Sequence, residues 1–333
     1  MVNTNSPLID LHRHLLGSIS KDLLCNQISK YASTPLQKLL TPTQHEFLER
    51  TSYGRDLLSS FGKAESAPDI FQKFRSLLEF LQSYVAVSSL IRTEDDFAAL
   101  VSEVLEEAAQ EKLHYVELTI SPTLYTGKGI PLEFILETLT NAKSSSSIMA
   151  QWLLDPMRNK GAEHAEALLQ QILSISPDAF SGVSLAGDEE SVPISQFRPY
   201  FELAKAHGLG TTAHVGERLT SKELELALEL PLDRIGHGIA AVHSPIAHEV
   251  LMTKDIPLEI CPSSNQQTGQ ISSLDTHPLV TLYNVGVPII INTDDPFFFN
   301  TTIVEELSFA SRLIGDEAVE EIKKNTQRYT FAG

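Results

Sequence analysis

Leu8-Ile9-Asp10-Leu11-His12-Arg13-His14 is the stretch on which the reading of this chain turns. A short apolar run, long enough for one strand, delivers two histidines two residues apart. On a strand, residues i and i+2 face the same side, so both imidazoles can turn toward one point. Alone, a His-x-His pair is as compatible with a surface pair as with a metal site. The remainder of the chain decides between the two.

The same device recurs seven more times. Tyr115 to Ile120 ends at Ser121-Pro122, Ile148 to Leu154 at Asp155-Pro156, and Phe180 to Ala186 at Gly187-Asp188-Glu189. Gly210 to Ala213 leads into His214 and Glu217, Arg234-Ile235-Gly236 into His237, Pro257 to Ile260 into Ser263-Ser264-Asn265, and Pro288 to Ile291 into Asp294-Asp295. Amphipathic stretches fill the gaps, clearest in Glu94 to Lys112, where Phe97, Leu100, Val101, Val104, Leu105 and Ala108 recur at helical spacing. Glu163 to Ser174, Gln196 to His207, Glu223 to Leu230 and His277 to Asn284 read the same way. Eight alternations predict an α/β fold, a (β/α)8 TIM barrel. An open doubly wound sheet is the alternative, weakened because no Gly-x-Gly-x-x-Gly turn follows an early strand. Such barrels place their chemistry at the carboxy-terminal ends of the strands, where the His, Asp and Glu residues cluster here.

Residues 1–333 read as one barrel domain. Leu15 to about Asp96 is too long for a simple crossover, so a helical insertion at about 20–95, between strands 1 and 2, is expected to cover the pocket. Asn141 to Ser147 reads as an exposed loop.

Composition narrows the partners. Against 25 Lys and Arg stand 43 Asp and Glu, a formal net charge of −18, which argues against nucleic acid because such sites need a basic footprint. Two cysteines, Cys25 and Cys261, build neither a disulfide framework nor a Cys-rich metal site. No run approaches the 18 apolar residues of a membrane span, and residues 1–7 carry no secretory pattern. A cytoplasmic enzyme, monomer or homodimer, acting on a small molecule is expected.

Candidate metal ligands are His12, His14, His214, His237 and Asp294; imidazole and carboxylate suit a borderline ion such as zinc. Spacing alone does not say which of the five bind. Strand 4 offers no Lys, Glu or His to bridge a second ion, so one ion is favoured. The other histidines carry plainer readings: His45, His164, His243 and His248 as surface residues, His114 before strand 2 at the bottom of the barrel, His207 ending a helix, and His277 starting one. Glu217 follows His214 across Gly216, which permits a turn that brings the carboxyl back over the pocket, where it can act as a general acid. Asp294 and Asp295 point in opposed directions and can divide metal and substrate contacts. At the end of strand 4, Gly187 can offer its N–H to a ring nitrogen.

Six pieces in order carry a resemblance to the adenosine deaminase family of metal-dependent amidohydrolases. They are Leu11-His12-Arg13-His14-Leu15-Leu16-Gly17-Ser18, Ser184-Leu185-Ala186-Gly187-Asp188-Glu189, His214-Val215-Gly216-Glu217, Arg234-Ile235-Gly236-His237-Gly238, Cys261-Pro262-Ser263-Ser264-Asn265 and Asn292-Thr293-Asp294-Asp295-Pro296. The resemblance implies one zinc ion on His12, His14, His214 and Asp294, with His237 beside the attacking water rather than on the metal. It further implies that His237 and Asp294 accept that water's proton and that Glu217 protonates purine N1. Asp295 would hold N7, and the Gly187 N–H would hold N3. The implied reaction is hydrolytic loss of the 6-amino group as ammonia from a purine nucleoside.

Two departures stand out. Val215 replaces the family's usual alanine, a packing change. Leu16 stands where adenosine-specific members generally place an aspartate that bonds the ribose 5′-hydroxyl; leucine cannot accept that bond. With His14 and Leu16 on the pocket wall, a 5′-modified nucleoside such as 6-aminodeoxyfutalosine is favoured over adenosine. Tyr84 to Phe97, Gln196 to Phe201 and Ile256 to Pro262 resemble the aminodeoxyfutalosine deaminase branch. The alternatives are adenosine deamination, another mononuclear amidohydrolase that cleaves an amide, lactone or phosphoester, and an inactive binding module.

Overall fold

The computed structural model describes residues 6–61, 68–220 and 222–331; residues 1–5 and 62–67, the latter in the expected insertion, lie outside them. Strands β1 (Leu8–His14), β2 (Leu113–Ile120), β3 (Met149–Leu154), β4 (Gly182–Val183) and β5 (Gly210–Thr211) form one parallel sheet in sequence order. A second contains β6 (His214–Val215), β7 (Ile235–His237), β8 (Leu258–Ile260) and β9 (Ile289–Ile291). The two sheets are one barrel. β5 and β6 are halves of one extended segment, and Thr212 N to Val183 O and His214 N to Leu185 O, each 3.0 Å, carry the ladder across the interruption. On the opposite side His14 N bonds Asp294 O, and Asp294 N bonds His12 O, both at 2.9 Å. These bonds close the (β/α)8 barrel that the alternating pattern predicts. The β-branched run Ile289–Ile291 is buried throughout, as expected of a strand covered on both faces.

Between β1 and β2 run the helices Lys21–Tyr31, Leu36–Leu39, Pro42–Leu48, Ser52–Ser60 and Leu77–Ser88, followed by Glu94–Gln110. The last starts at a capping box made by Thr93 and Asp96. Among the described residues, no helix is long and apolar enough to cross a membrane.

Several boundaries differ from the sequence reading. Asn141 to Ser145 is not loop but the end of helix Leu132–Ser145. Ser144 and Ser145 turn their hydroxyls onto the carbonyls of Thr140 and Asn141, at 3.0 and 2.9 Å, so the serine run stays compatible with a helix. Gln196–His207 opens as a 3-10 turn, Ile194–Phe197, before helix Arg198–Ala206. His114 lies inside β2 rather than before it, and its Nδ1 accepts a bond from Leu8 N at 3.2 Å.

A charged network crosses the barrel wall beneath the site. Arg234 donates to Glu117 and, at 2.6 Å, to Glu259 Oε1, all three side chains being fully buried. Phe331 lies under the Arg234 guanidinium, 3.6 Å from charge to ring centre, and its N–H donates to Glu117 Oε1 at 2.7 Å. Breaking one member of such a buried set costs several kcal/mol, about 3–5, because a charge is left unpaired.

Candidate active site

Four candidate ligand atoms from three strands converge on one point: two from β1, one from β6 and one from the end of β9. His12 Nε2 and His14 Nε2 lie 3.0 and 3.1 Å from His214 Nε2. Asp294 Oδ1 lies 3.4 Å from His12 Nε2 and 3.3 Å from His14 Nε2. A tetrahedral ion with bonds of about 2.0–2.1 Å has ligands about 3.3 Å apart, close to this spacing. Nitrogens whose lone pairs face one another at such range repel unless a proton or a cation sits between them. The electrostatics agree. Burial opposes charge on His12, yet Asp294 and Glu259 outweigh it and push the imidazole up to about 10. Burial likewise opposes ionisation of Asp294, but His12 and His14 hold that carboxyl well below its usual range. The donor set therefore fits a divalent cation.

Glu259 fixes how His12 presents itself. Its Oε2 is 2.6 Å from His12 Nδ1 and 3.1 Å from Thr212 Oγ1. A carboxylate on Nδ1 keeps the proton there and leaves the Nε2 lone pair for the metal. Burial would raise Glu259, but Arg234 and His12 hold it down to about 2, so it remains an acceptor.

His237 sits beside this cluster. Its Nε2 is 3.9 Å from both Glu217 Oε2 and Asp294 Oδ2, and burial pushes it down to about 3. Behind it, Asn265 Nδ2 lies 3.3 Å from His237 Nδ1, His277 Nε2 lies 3.2 Å from Asn265 Oδ1, and Leu279 N donates to His277 Nδ1 at 2.9 Å. His237 and Asp294 both have positive φ, 59° and 66°, a conformation costly for side-chain-bearing residues and concentrated at functional sites. Ser264 Oγ donates to the free oxygen of Asp294 at 2.7 Å.

Glu217 is held by its turn. Gly216, at φ 70°, makes the reversal after β6, and Glu189 accepts from Gly216 N and Glu217 N at 2.8 Å each. Burial, then the charges of Asp294 and Glu189, push Glu217 up to about 8. Asp295 is raised well above its usual range by burial and by Asp294, and its Oδ1 is buried without a hydrogen-bond partner among the described residues. Gly17 lets the turn after β1 approach it: an added Cβ would stand 1.8 Å from that oxygen. A few residues beyond β4, the Gly187 N–H donates to no described residue. Leu16 is buried in a single turn after β1, which packs on helix Leu77–Ser88 and on Pro296–Phe299. From that helix, half-buried Tyr84 meets the His14 ring edge-on, centres 6.5 Å apart, and leans on Phe298.

His12, His14, His214, Glu217, His237, Asp294 and Asp295 thus gather at one end of the barrel, with Leu16 in the turn after β1 and Gly187 beyond β4. Missed were Glu259, Ser264, Asn265 and His277 as partners, and Tyr84 as a wall. A signal existed for Glu259, a carboxylate inside the apolar run Pro257 to Ile260. His277 does precede helix Leu279–Val285 as read, but its other nitrogen reaches into the site.

A family model described as adenosine deaminase matches residues 7–333. The chain belongs to the adenosine deaminase family. It is a hydrolase of the deaminase type. Among relatives, the aminodeoxyfutalosine deaminase of Streptomyces coelicolor is 30% identical, covering 98% of this chain and 80% of the relative. The adenosine deaminase of Clostridium botulinum is 28% identical over 93% of this chain and 88% of its own length. The crystal structure of the Arabidopsis N6-mAMP deaminase MAPDA superposes with a TM-score of 0.81 at 26% identity, covering 98% of this chain and 94% of that one.

Proposed function

We propose that this family member hydrolyses the exocyclic 6-amino group of a purine nucleoside to the 6-oxo compound and ammonia. The observation that carries the reading is a pair of carboxyl groups, Glu217 and Asp295, buried beside a cation site, with Asp295 Oδ1 lacking a hydrogen-bond partner among the described residues and burial raising both groups. Purine N1, N3 and N7 are all acceptors, so a complementary pocket needs three donors. Protonated Glu217 supplies one to N1, the Gly187 N–H one to N3, and protonated Asp295 one to N7. Transfer of the Glu217 proton to N1 makes C6 more electrophilic, so that water can add there, the step at which ring aromaticity is lost. We propose one zinc ion on His12, His14, His214 and Asp294; when bound, it lowers the pKa of the attacking water from about 15.7 to about 7. Asp294 and His237 border that water, and the buried setting strengthens each of these interactions.

The favoured substrate is extended at the ribose 5′ position, as in 6-aminodeoxyfutalosine. Support comes from Leu16, which offers no acceptor to a 5′-hydroxyl, from the aromatic wall of Tyr84 and Phe298, and from the name of the 30%-identical relative. Adenosine is the second reading, supported by the 28%-identical relative so named. The test is to supply aminodeoxyfutalosine, adenosine, 5′-methylthioadenosine and adenine to metal-replete protein and follow ammonia and purine absorbance. No turnover of any of them overturns the deaminase reading; adenosine far ahead of every 5′-extended compound overturns the role given to Leu16.

A further inference from the structure

The hydrogen bonds behind His237 run in one direction, and the direction is set by a group that cannot be reversed. A backbone N–H only donates, and Leu279 N–H points at His277 Nδ1, 2.9 Å away. His277 therefore accepts at Nδ1. Burial pushes this imidazole down to about 4, so it is neutral and carries its proton on Nε2. That proton faces the side-chain amide of Asn265 at 3.2 Å, which must present oxygen there and, in consequence, nitrogen to His237. The Asn265 amide lies 3.3 Å from His237 Nδ1 and donates to it. A neutral imidazole that accepts at Nδ1 holds its proton on Nε2. All three side chains are buried, so water does not compete for these bonds.

We infer that Asn265 and His277 are positioning residues that hold His237 in the Nε2–H form, facing the reaction centre as a donor. The inference rests on the deaminase reading for the identity of the attacking group, not for the tautomer itself. It has two consequences. His12, His214, His237 and Asp294 lie close enough together to form a ligand group of their own, but a nitrogen that carries a proton has no lone pair for a metal, so His237 Nε2 stays off the ion and His14 takes the place. His237 also cannot take a proton at Nε2. It donates a hydrogen bond to the attacking oxygen and leaves proton acceptance to Asp294, unlike the shared role that the family resemblance implies.

The test reads the tautomer directly. In protein labelled with 15N in its histidine rings, long-range proton–nitrogen correlation spectra of metal-loaded and metal-free enzyme should show His237 with a pyrrole-type Nε2 and a pyridine-type Nδ1. The opposite pattern in either form overturns the inference, whatever substrate the enzyme accepts. Asn265→Asp is nearly isosteric but accepts on both oxygens, so it should move the His237 proton to Nδ1. With the wrong tautomer, kcat should fall about 10²–10⁴-fold while KM changes little. His277→Leu should leave His237 as a mixture of tautomers with lowered kcat. His277→Gln, whose amide can still donate to Asn265, should restore the Nε2–H signal and most of kcat. An Asn265→Asp enzyme that keeps the Nε2–H signal overturns the proposal, as does a folded His277→Leu enzyme with unchanged signal and kcat. Failure of every purine to react would instead remove the deaminase reading and leave the tautomer assignment standing.

Discussion

Replacing Glu259 with glutamine changes almost no volume but reverses one hydrogen bond, and its effect can be worked out from two distances. Arg234 Nε, 2.6 Å from Oε1, can only donate, so the glutamine carbonyl must face it. The amide nitrogen then faces His12 Nδ1, where the carboxylate oxygen stood at 2.6 Å, and donates. His12 must now carry its proton on Nε2, the atom that has to ligate. Loss of an orienting partner typically costs metal affinity about 10–100-fold, about 1.4–2.7 kcal/mol, and the tautomer reversal puts E259Q at the upper end. Stability falls as well. Against burial, Arg234 and His12 hold the folded carboxyl at about 2 rather than 4.5, a contribution on the order of 3 kcal/mol at neutral pH. That contribution is present above the unfolded value and lost as pH falls through about 2. Competition against a chromogenic chelator measures the affinity, and denaturation of the metal-free proteins separates the stability loss. A folded E259Q protein with wild-type metal affinity would refute this tautomer reasoning.

Glu217→Gln should bind metal as the wild type does yet lose turnover by about 10²–10⁴-fold; an unimpaired variant removes the general-acid role. The acid must be protonated to act, and Glu217 is held at about 8, so kcat/KM should decline above that pH. Positive charge at the ligand cluster can only move this limb lower, and a profile still flat well above it contradicts the assignment. Leu16→Asp should raise kcat/KM for adenosine relative to 5′-extended nucleosides by about tenfold, the worth of one hydrogen bond. An unchanged ratio means that residue 16 does not meet the 5′ group.

The fold and the residues of the candidate site were legible because both are written locally. Each strand is a short apolar run, and each candidate side chain lies within a few residues of its end, as with His12 and His14 or His214 and Glu217. The supporting partners were not legible, because they come from distant parts of the chain. Glu259 meets His12 across the barrel, and the Arg234 that holds Glu259 stands on the neighbouring strand. His277 shows the limit well: its bond to Leu279 N follows from sequence proximity, whereas its bond to Asn265 depends on how the loop between them packs. The mistaken loop at Asn141 to Ser145 has a local cause, since serine composition suggests a turn until the hydroxyls find carbonyls one helical turn back.

The convergence of three Nε2 atoms and one carboxylate has a consequence for how the protein acquires its ion. Without metal, His12 holds a proton to about 10, so at neutral pH the cluster already contains a small cation. Metal uptake is then an exchange, one proton released for each ion bound at His12. Apparent affinity should rise about tenfold per pH unit across the neutral range, and the heat of loading should vary with the ionisation enthalpy of the buffer. Acidification alone, without a chelator, should strip the ion.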